Sequence, residues 1–381
     1  METKRHLIIG YDAKRMMCND TGLGNYSRNL VNALIKADKD TEFRLYSPCE
    51  GREDLKAQIL PAKNISFIFP RSMHCRIRRD LWRAGGMVKD LLRDKVHLFH
   101  GLSGELPHGL HKAGIPGIVT VHDLIFLRHP EYYHWIDAKI YARKFYVTCR
   151  EASRMVAISE CTKRDILAYS HFPEDRIDVI YQSCGTQFKA KVSEGEKQRI
   201  KTKYELPDRY ILNVGTIEKR KNVLLAVKSL LRLPESLSLV IVGKATKYVD
   251  EVQAFIIKHQ LESRVRFMHN IPNEDLPAIY QLASVFVYPS RYEGFGLPVI
   301  EGIQSGLPVV ACTGSCLEEA GGPDNLYVAP DDDEGMANGI ALFLGDASFR
   351  QQSIGRSMSY VKRFENQDLA HQMLQEYQKL I

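Results

Sequence analysis

An α/β protein with two parallel sheets is the fold class this sequence predicts, and three observations predict it. Short β-branched and aliphatic runs alternate with helical stretches along nearly the whole chain, the pattern of parallel sheets covered by helices on both faces. The alternation is interrupted at Lys189-Ala190-Lys191-Val192-Ser193-Glu194-Gly195-Glu196-Lys197, a polar stretch without apolar period that reads as a linker. The 381 residues suit two domains of ordinary size. The expected division is into two Rossmann-like halves, 1–188 and 189–381, with a terminal amphipathic helix over about 366–381.

In the first half the expected strands are Leu7 to Tyr11, Phe43 to Ser47, Ile65 to Phe69, Val96 to His100, Gly117 to Val121, Met155 to Ser159 and Ile177 to Tyr181. In the second they are Tyr210 to Val214, Leu237 to Val242, Val265 to His269, Val285 to Tyr288, Val309 to Cys312 and Tyr327 to Ala329. Ligands of such open sheets sit beyond the carboxyl ends of the strands, so the strand-to-helix loops are where chemistry is to be sought.

Bulk properties narrow the function classes. Hydrophobic residues make up 44% and charged residues 26%, an ordinary globular composition. A formal charge of +6 is too mild to argue for nucleic acid as a partner. The apolar run near the N-terminus is too short for a signal peptide, and no stretch approaches the length of a spanning helix. The eight cysteines include no CxxC pair, and the closest two in sequence are Cys312 and Cys316. They read as reduced thiols of a cytoplasmic protein.

Four loops carry unusual chemistry. The first is Arg291-Tyr292-Glu293-Gly294-Phe295-Gly296-Leu297-Pro298-Val299-Ile300-Glu301, with two carboxylates eight positions apart around a glycine turn that opens a helix. Pro298 is expected at the first helical position, where its missing N–H costs nothing. The free amides there favour an anion, while two acids beside them suit a ligand that also carries hydroxyls, as a nucleotide sugar does. The second is Gly215-Thr216-Ile217-Glu218-Lys219-Arg220-Lys221-Asn222 before a helix from Val223 to about Leu233. Three cations at a helix N-terminus oppose the dipole, and an anion between them would remove the conflict. That assigns Lys221, with Arg220, to a diphosphate.

The third loop is His122-Asp123-Leu124 after Val119-Thr120-Val121, where a histidine at a strand's carboxyl end suits a sugar hydroxyl. The fourth, Asn19-Asp20-Thr21-Gly22-Leu23-Gly24-Asn25-Tyr26-Ser27, precedes a helix with Leu30 and Leu34 and is only superficially a dinucleotide fingerprint, because Ser27 replaces the third glycine. For partners, Arg71, Arg76, Arg78, Arg79, Arg83, Lys89 and Arg93 surround a helix with Ile77, Leu81, Trp82, Val88 and Leu91. Trp82 and Leu91 read as core. The arginine excess suits anionic lipid headgroups or an acceptor diphosphate.

Together these pieces, with Ile158-Ser159-Glu160, resemble family 4 retaining glycosyltransferases of the GT-B fold, in order and spacing over nearly the whole chain. Within that family, Arg128-His129-Pro130-Glu131-Tyr132-Tyr133 is similar to bacterial polysaccharide and lipopolysaccharide mannosyltransferases. The resemblance implies an acceptor-binding first domain, a donor-binding second domain, and a terminal helix crossing back to the first. It implies catalytic roles for His122, Glu293 and Lys221. Glu301 would accept from the ribose, Glu293 with Gly294, Phe295, Gly296 and Leu297 would hold sugar and diphosphate, and Gly22, Thr216 and Arg220 would face the diphosphate. Many relatives carry arginine where this chain has Thr216, so the clamp is altered here. No DxD-like pair suits a divalent cation, and Asp331-Asp332-Asp333 reads as a helix start, so neither metal nor cofactor is expected. The implied reaction moves a hexose, mannose from GDP-mannose favoured over a UDP-sugar (glucose, galactose or N-acetylglucosamine), to a glycan or lipid-linked glycan. Peripheral contact with the inner face of the cytoplasmic membrane through Arg71 to Arg93 is consistent with this. An epimerase of the same fold and a non-enzymatic polysaccharide-binding module are the alternatives. A phosphorylase is disfavoured, since no lysine suited to a pyridoxal cofactor is identifiable.

Overall fold

The computed structural model describes residues 6–71, 75–182, 184–365 and 368–381. The first five residues, Ser72 to His74 of the arginine-rich stretch, Ser183, and the first two residues of the expected terminal helix lie outside the description. The chain forms two compact units, Met1–Gln182 with Gln367–Ile381, and Ser183–Asn366.

The first unit contains β1 (Ile8–Asp12), β2 (Glu42–Tyr46), β3 (Ile65–Ile68), β4 (Leu98–Gly101), β5 (Gly117–Val121), β6 (Arg154–Ala157) and β7 (Ile177–Val179). They pair in the order β3-β2-β1-β4-β5-β6-β7, and every pairing is parallel. The second unit holds β8 (Tyr210–Val214), β9 (Ser238–Val242), β10 (Val265–Met268), β11 (Val285–Tyr288), β12 (Val309–Cys312) and β13 (Leu326–Val328), in the order β10-β9-β8-β11-β12-β13, again parallel. Each expected strand has its counterpart. The apolar runs are buried on both faces, as β11 and β12 are at every residue, so hydrophobicity alone located them. Parallel strands need crossovers, which the intervening helices supply. In both units the order reverses beside the first strand, between β1 and β4 and between β8 and β11, and at such a switch point the loops splay apart to leave a crevice.

Three local expectations are corrected. The stretch Lys189 to Lys197 is not all linker: a helix runs Glu194–Lys203, because the Ser193 side chain accepts from the Glu196 amide and caps it. A polar helix of this kind has too weak an apolar period to be found by periodicity. The helix that carries Leu30 and Leu34 starts at Gly22, not beyond Ser27, and runs to Ala37, after a short helix at Lys14–Cys18. Asn19 folds the preceding turn by accepting from the Thr21 amide and hydroxyl at 2.8 and 2.7 Å. A Cβ at Gly24 would lie 1.8 Å from the Asn19 carbonyl, so this turn requires glycine there. Finally, the helix Leu297–Gln304 puts Leu297 first and Pro298 second.

Each unit has its own core. In the first, Ile9 and Leu98 of the sheet pack with Leu30 and Leu34 of the Gly22–Ala37 helix and with Met373 and Tyr377 of the terminal helix Leu369–Gln378. In the second, Ile211, Ile241, Val287 and Val310 pack with Val223 and Val227 on one helix and Ile340 and Phe343 on another. Burying a side chain of this size contributes about 1.5–3 kcal/mol.

Candidate active site

In the second unit the two carboxyl-end loops at the switch point fold into one cluster. The loop after β8 forms a single turn at Lys219–Lys221, then Asn222 takes a left-handed conformation and the next helix begins. Asn tolerates that conformation, and its side-chain amide donates to the carbonyls of Pro289 and Pro330 at 3.1 and 2.8 Å, fastening the cationic loop to the end of β11. From β11 the chain enters the glycine turn, where Gly296, at φ +101°, supplies a backbone that side chains rarely adopt.

Glu293 is the centre of this cluster. Its Oε1 accepts from the Lys221 ammonium, from the Ser290 hydroxyl at 2.6 Å and from the Tyr288 hydroxyl at 3.1 Å, while Oε2 lies 2.8 Å from the Arg220 guanidinium. Arg220 also donates to the Tyr292 carbonyl at 2.6 Å and to Glu218 at 2.7 Å. Burial alone would raise the Glu293 carboxyl, but the charges of Lys221 and Arg220 outweigh it and hold it down at about 2. The cationic loop therefore carries its own counter-ion. The electrostatic conflict that pointed to a bound anion is met in the free protein by a carboxylate from another crossover, and a ligand's phosphates would compete with it.

Glu301 lies in different surroundings. Its Oε2 accepts from Tyr280 at 2.9 Å, and burial pushes its carboxyl up to about 7, with the Tyr280 bond opposing. Lys221 donates to the Tyr288 hydroxyl at 2.6 Å and lies 5.1 Å from that ring's centroid. The rings of Tyr288, Phe286 and Tyr280 follow one another with centroids 5.9 and 5.3 Å apart, and Tyr280 and Tyr288 are close enough to perturb each other electrostatically. An aromatic chain thus connects Lys221 to Glu301. Tyr280, Tyr288 and Ser290 were not singled out as functional from sequence. A buried tyrosine must find a partner for its hydroxyl, and Tyr288, bearing the one polar side-chain group at the end of an otherwise apolar strand, was the available signal.

In the first unit, His122 follows β5 and meets the Gly22 helix: its ring packs edge-on against Tyr26 at 4.7 Å between centroids. Its Nε2 lies 2.9 Å from the Leu102 carbonyl, which can only accept, so Nε2 carries the proton and Nδ1 accepts from the Gln182 amide at 3.2 Å. Burial pushes its pKa down to about 4, so the ring is neutral near pH 7. Gly22 itself has open space where a Cβ would stand. Among the described residues no group of three or more His, Cys, Asp or Glu could hold a metal ion. Asp332 caps the helix Asp333–Gly345, accepting from the Gly335 amide, which accounts for the acidic run.

A family model for glycosyl transferases group 1 matches residues 195–357, and one for glycosyltransferase family 4 matches residues 21–186. The chain belongs to the family 4 glycosyltransferases. This glycosyltransferase is 28% identical over 386 residues to the O-antigen chain mannosyltransferase B of Escherichia coli, covering 94% of this chain and 96% of that protein. Its fold is GT-B, shared with sucrose-phosphate synthase from Thermosynechococcus elongatus (TM-score 0.77, 19% identity, 98% and 99% of the two chains). It is shared equally with Anabaena HepE in complex with UDP and glucose (TM-score 0.75, 17% identity, 98% and 99%).

The arginine-rich stretch of the glycosyltransferase is less free than its sequence suggests. Arg83 is buried against Asp12 and Glu105, with contacts of 2.5 Å to each, and Arg93 pairs with Asp90 and Asp94 at 2.6 and 2.9 Å. On the outside lies the helix Arg76–Leu81, with Ile77 71% exposed between Arg76 and Arg78 and Leu81 64% exposed at its end. Among the described residues no helix is long and apolar enough to cross a membrane.

Proposed function

We propose that the protein is a retaining, metal-independent mannosyltransferase that moves mannose from GDP-mannose to a glycan or lipid-linked glycan in the cytoplasm. The observation that carries this reading is the convergence of Lys221, Arg220 and Glu293 at the start of the Leu297–Gln304 helix. The 28% identical relative named as an O-antigen chain mannosyltransferase supports the choice of sugar. On this reading the diphosphate takes over Lys221 and Arg220, and Glu293 with the Gly294 to Leu297 backbone turns to the sugar hydroxyls. Glu301 holds the ribose, and Thr216 and Gly22 flank the diphosphate. The acceptor oxygen attacks the anomeric carbon on the face the leaving group vacates, the carbon–oxygen bond to phosphate breaks, and the acceptor proton goes to the departing diphosphate. Negative charge grows on that diphosphate, so fixed cations there stabilise the transition state most, without a divalent ion. His122, neutral and with its N–H committed to Leu102, positions the sugar through its packing.

The test is nucleotide release from GDP-mannose, UDP-glucose, UDP-galactose and UDP-N-acetylglucosamine, with a chelator present and with candidate glycan acceptors, the product linkage being read by NMR. Turnover of GDP-mannose with an α-linked product supports the reading. Preference for a UDP-sugar, an inverted linkage, or loss of turnover with the chelator overturns the corresponding part. An epimerised sugar formed without acceptor favours the epimerase, and binding of polysaccharide with no nucleotide sugar favours the module.

The raised carboxyl of Glu301 makes donor binding pH-dependent. A carboxylate accepts from ribose hydroxyls and a protonated acid accepts less well, so donor KM should fall as pH rises through about 7. In Glu301→Gln the dependence should flatten, and in Glu301→Ala donor KM should rise more than kcat falls; an unchanged KM contradicts the ribose role.

Peripheral attachment is supported by the exposed Ile77 and Leu81 beside Arg76 and Arg78. Co-sedimentation with vesicles containing phosphatidylglycerol should be lost in Ile77→Asp/Leu81→Asp, while neutral vesicles should bind neither form. Equal sedimentation of variant and parent removes this contact.

A further inference from the structure

Cys18 and Cys49 lie 31 positions apart in sequence, yet their sulfurs are 2.9 Å apart. The two ends are held in place independently of the thiols. The Arg52 amide donates to the Met17 carbonyl at 2.9 Å, and the Arg52 guanidinium bridges to Asp20 at 2.7 Å. Gly51, at φ +78°, lets the chain pass so close to Met17 that a Cβ would lie 2.5 Å from its carbonyl oxygen. Cys18 closes the helix Lys14–Cys18, and the next residues are the Asn19 turn and Gly22. Cys49 also lines a cavity of about 830 Å³ in the first unit, whose wall carries Lys14, Arg76, Arg79, Arg143 and Lys144. These cations outnumber the acids of the wall, Asp12, Asp80 and Glu105, so an anionic low-molecular-weight disulfide suits that opening by charge.

We infer that Cys18 and Cys49 form an oxidisable pair which, by exchange with glutathione disulfide, crosslinks the β2 loop to the base of the Gly22 turn and weakens donor binding. The effect on binding rests on the proposed placement of that turn beside the diphosphate; the crosslink does not. Cys49 lines the cavity and Cys18 does not, so Cys49 makes the first attack. The Cys49 thiolate attacks one glutathione sulfur, the reagent's S–S bond breaks, and the first glutathione leaves and takes up the proton Cys49 gave. Cys18 then loses its proton to water, attacks the Cys49 sulfur and expels the second glutathione, which is protonated in turn. Two protein thiols are oxidised and one glutathione disulfide is reduced to two thiols. A crosslink here adds a covalent tie to the base of the Asn19 to Gly22 turn, on top of the Arg52 contacts, and leaves the turn less able to adjust to a phosphate.

The full chain is incubated with glutathione disulfide, its remaining thiols are alkylated, and the peptides are mapped by mass spectrometry. Donor affinity is read by calorimetry with GDP-mannose before and after. The expected result is a linked Cys18–Cys49 peptide without retained glutathione and a Kd raised about tenfold, both reversed by dithiothreitol. Cys49→Ser should bind donor as the reduced parent does and show no response to the reagent. Stable glutathione adducts on the two cysteines, linkage of either to another cysteine, or unchanged affinity in the linked protein overturns the inference. A reduced protein that binds no nucleotide sugar but still forms the link overturns the donor reading and leaves the crosslink standing.

Discussion

Replacing Lys221 with alanine is expected to lower kcat about 10³-fold with the fold retained. The Lys221 ammonium sits on Glu293 and on the Tyr288 hydroxyl, at the point where the leaving diphosphate would gather charge. Removing it deletes a fixed cation from a recessed site, where water compensates poorly. The Glu293 carboxylate is not stranded by the change, because Arg220 still faces Oε2 and the Ser290 and Tyr288 hydroxyls still donate to Oε1. The stability loss should therefore be about 2 kcal/mol, below the cost of isolating a buried charge. Single-turnover kinetics with GDP-mannose and a circular-dichroism melt separate the two effects. Lys221→Arg should recover part of the rate, since it restores charge without the same reach. Full activity in Lys221→Ala would remove the residue from the mechanism.

Replacing Glu293 with alanine should have the larger effect on stability. Lys221 and Arg220 would then face each other in a half-buried loop with Glu218 as acidic neighbour to Arg220, and breaking such an arrangement by removing one sign of charge costs about 3 kcal/mol, the low end for a buried pair. A nucleoside diphosphate supplies the missing negative charge, so GDP should raise the melting temperature of Glu293→Ala more than that of the parent. An equal or smaller shift would contradict the exchange of counter-ions proposed for donor binding.

The same carboxylate predicts an acid limit. Its folded value of about 2 lies below the ordinary 4.5. Its stabilisation is therefore complete above about 4.5 and is lost as pH falls toward 2, amounting to roughly 3 kcal/mol. Glu301 acts in the opposite sense. Raised to about 7, it costs stability progressively as pH rises from 4.5 to 7. Urea titrations at pH 3 and 6 should show Glu293→Gln losing less on acidification than the parent.

The architecture was readable because parallel strands buried on both faces are continuous apolar runs, and these stand out from amphipathic helices without knowledge of partners. The glycine turn at Glu293 to Pro298 was readable as a strand-to-helix connection because glycine, proline and paired acids at fixed spacing constrain such a turn locally. Where local signals were weak the sequence misled: the Glu194–Lys203 helix is polar throughout its visible face, and the Gly22–Ala37 helix begins inside what looks like a flexible glycine loop. The nearest cysteines in sequence, Cys312 and Cys316, gave no hint that Cys18 and Cys49 would be in contact.

The sequence by itself determined two parallel-sheet units, the strand-to-helix loops that follow their strands, and the residue types those loops present. Only the tertiary structure decided which charge answers which. Lys221 and Glu293 are 72 residues apart, and their pairing depends on β8 and β11 lying side by side. Likewise the N–H of His122 is committed to Leu102, and the opposite shifts of Glu293 and Glu301 come from their different neighbours. Periodicity and turn chemistry are written locally along the chain, whereas an ionisable group's state is set by burial and by charges brought to it from distant segments.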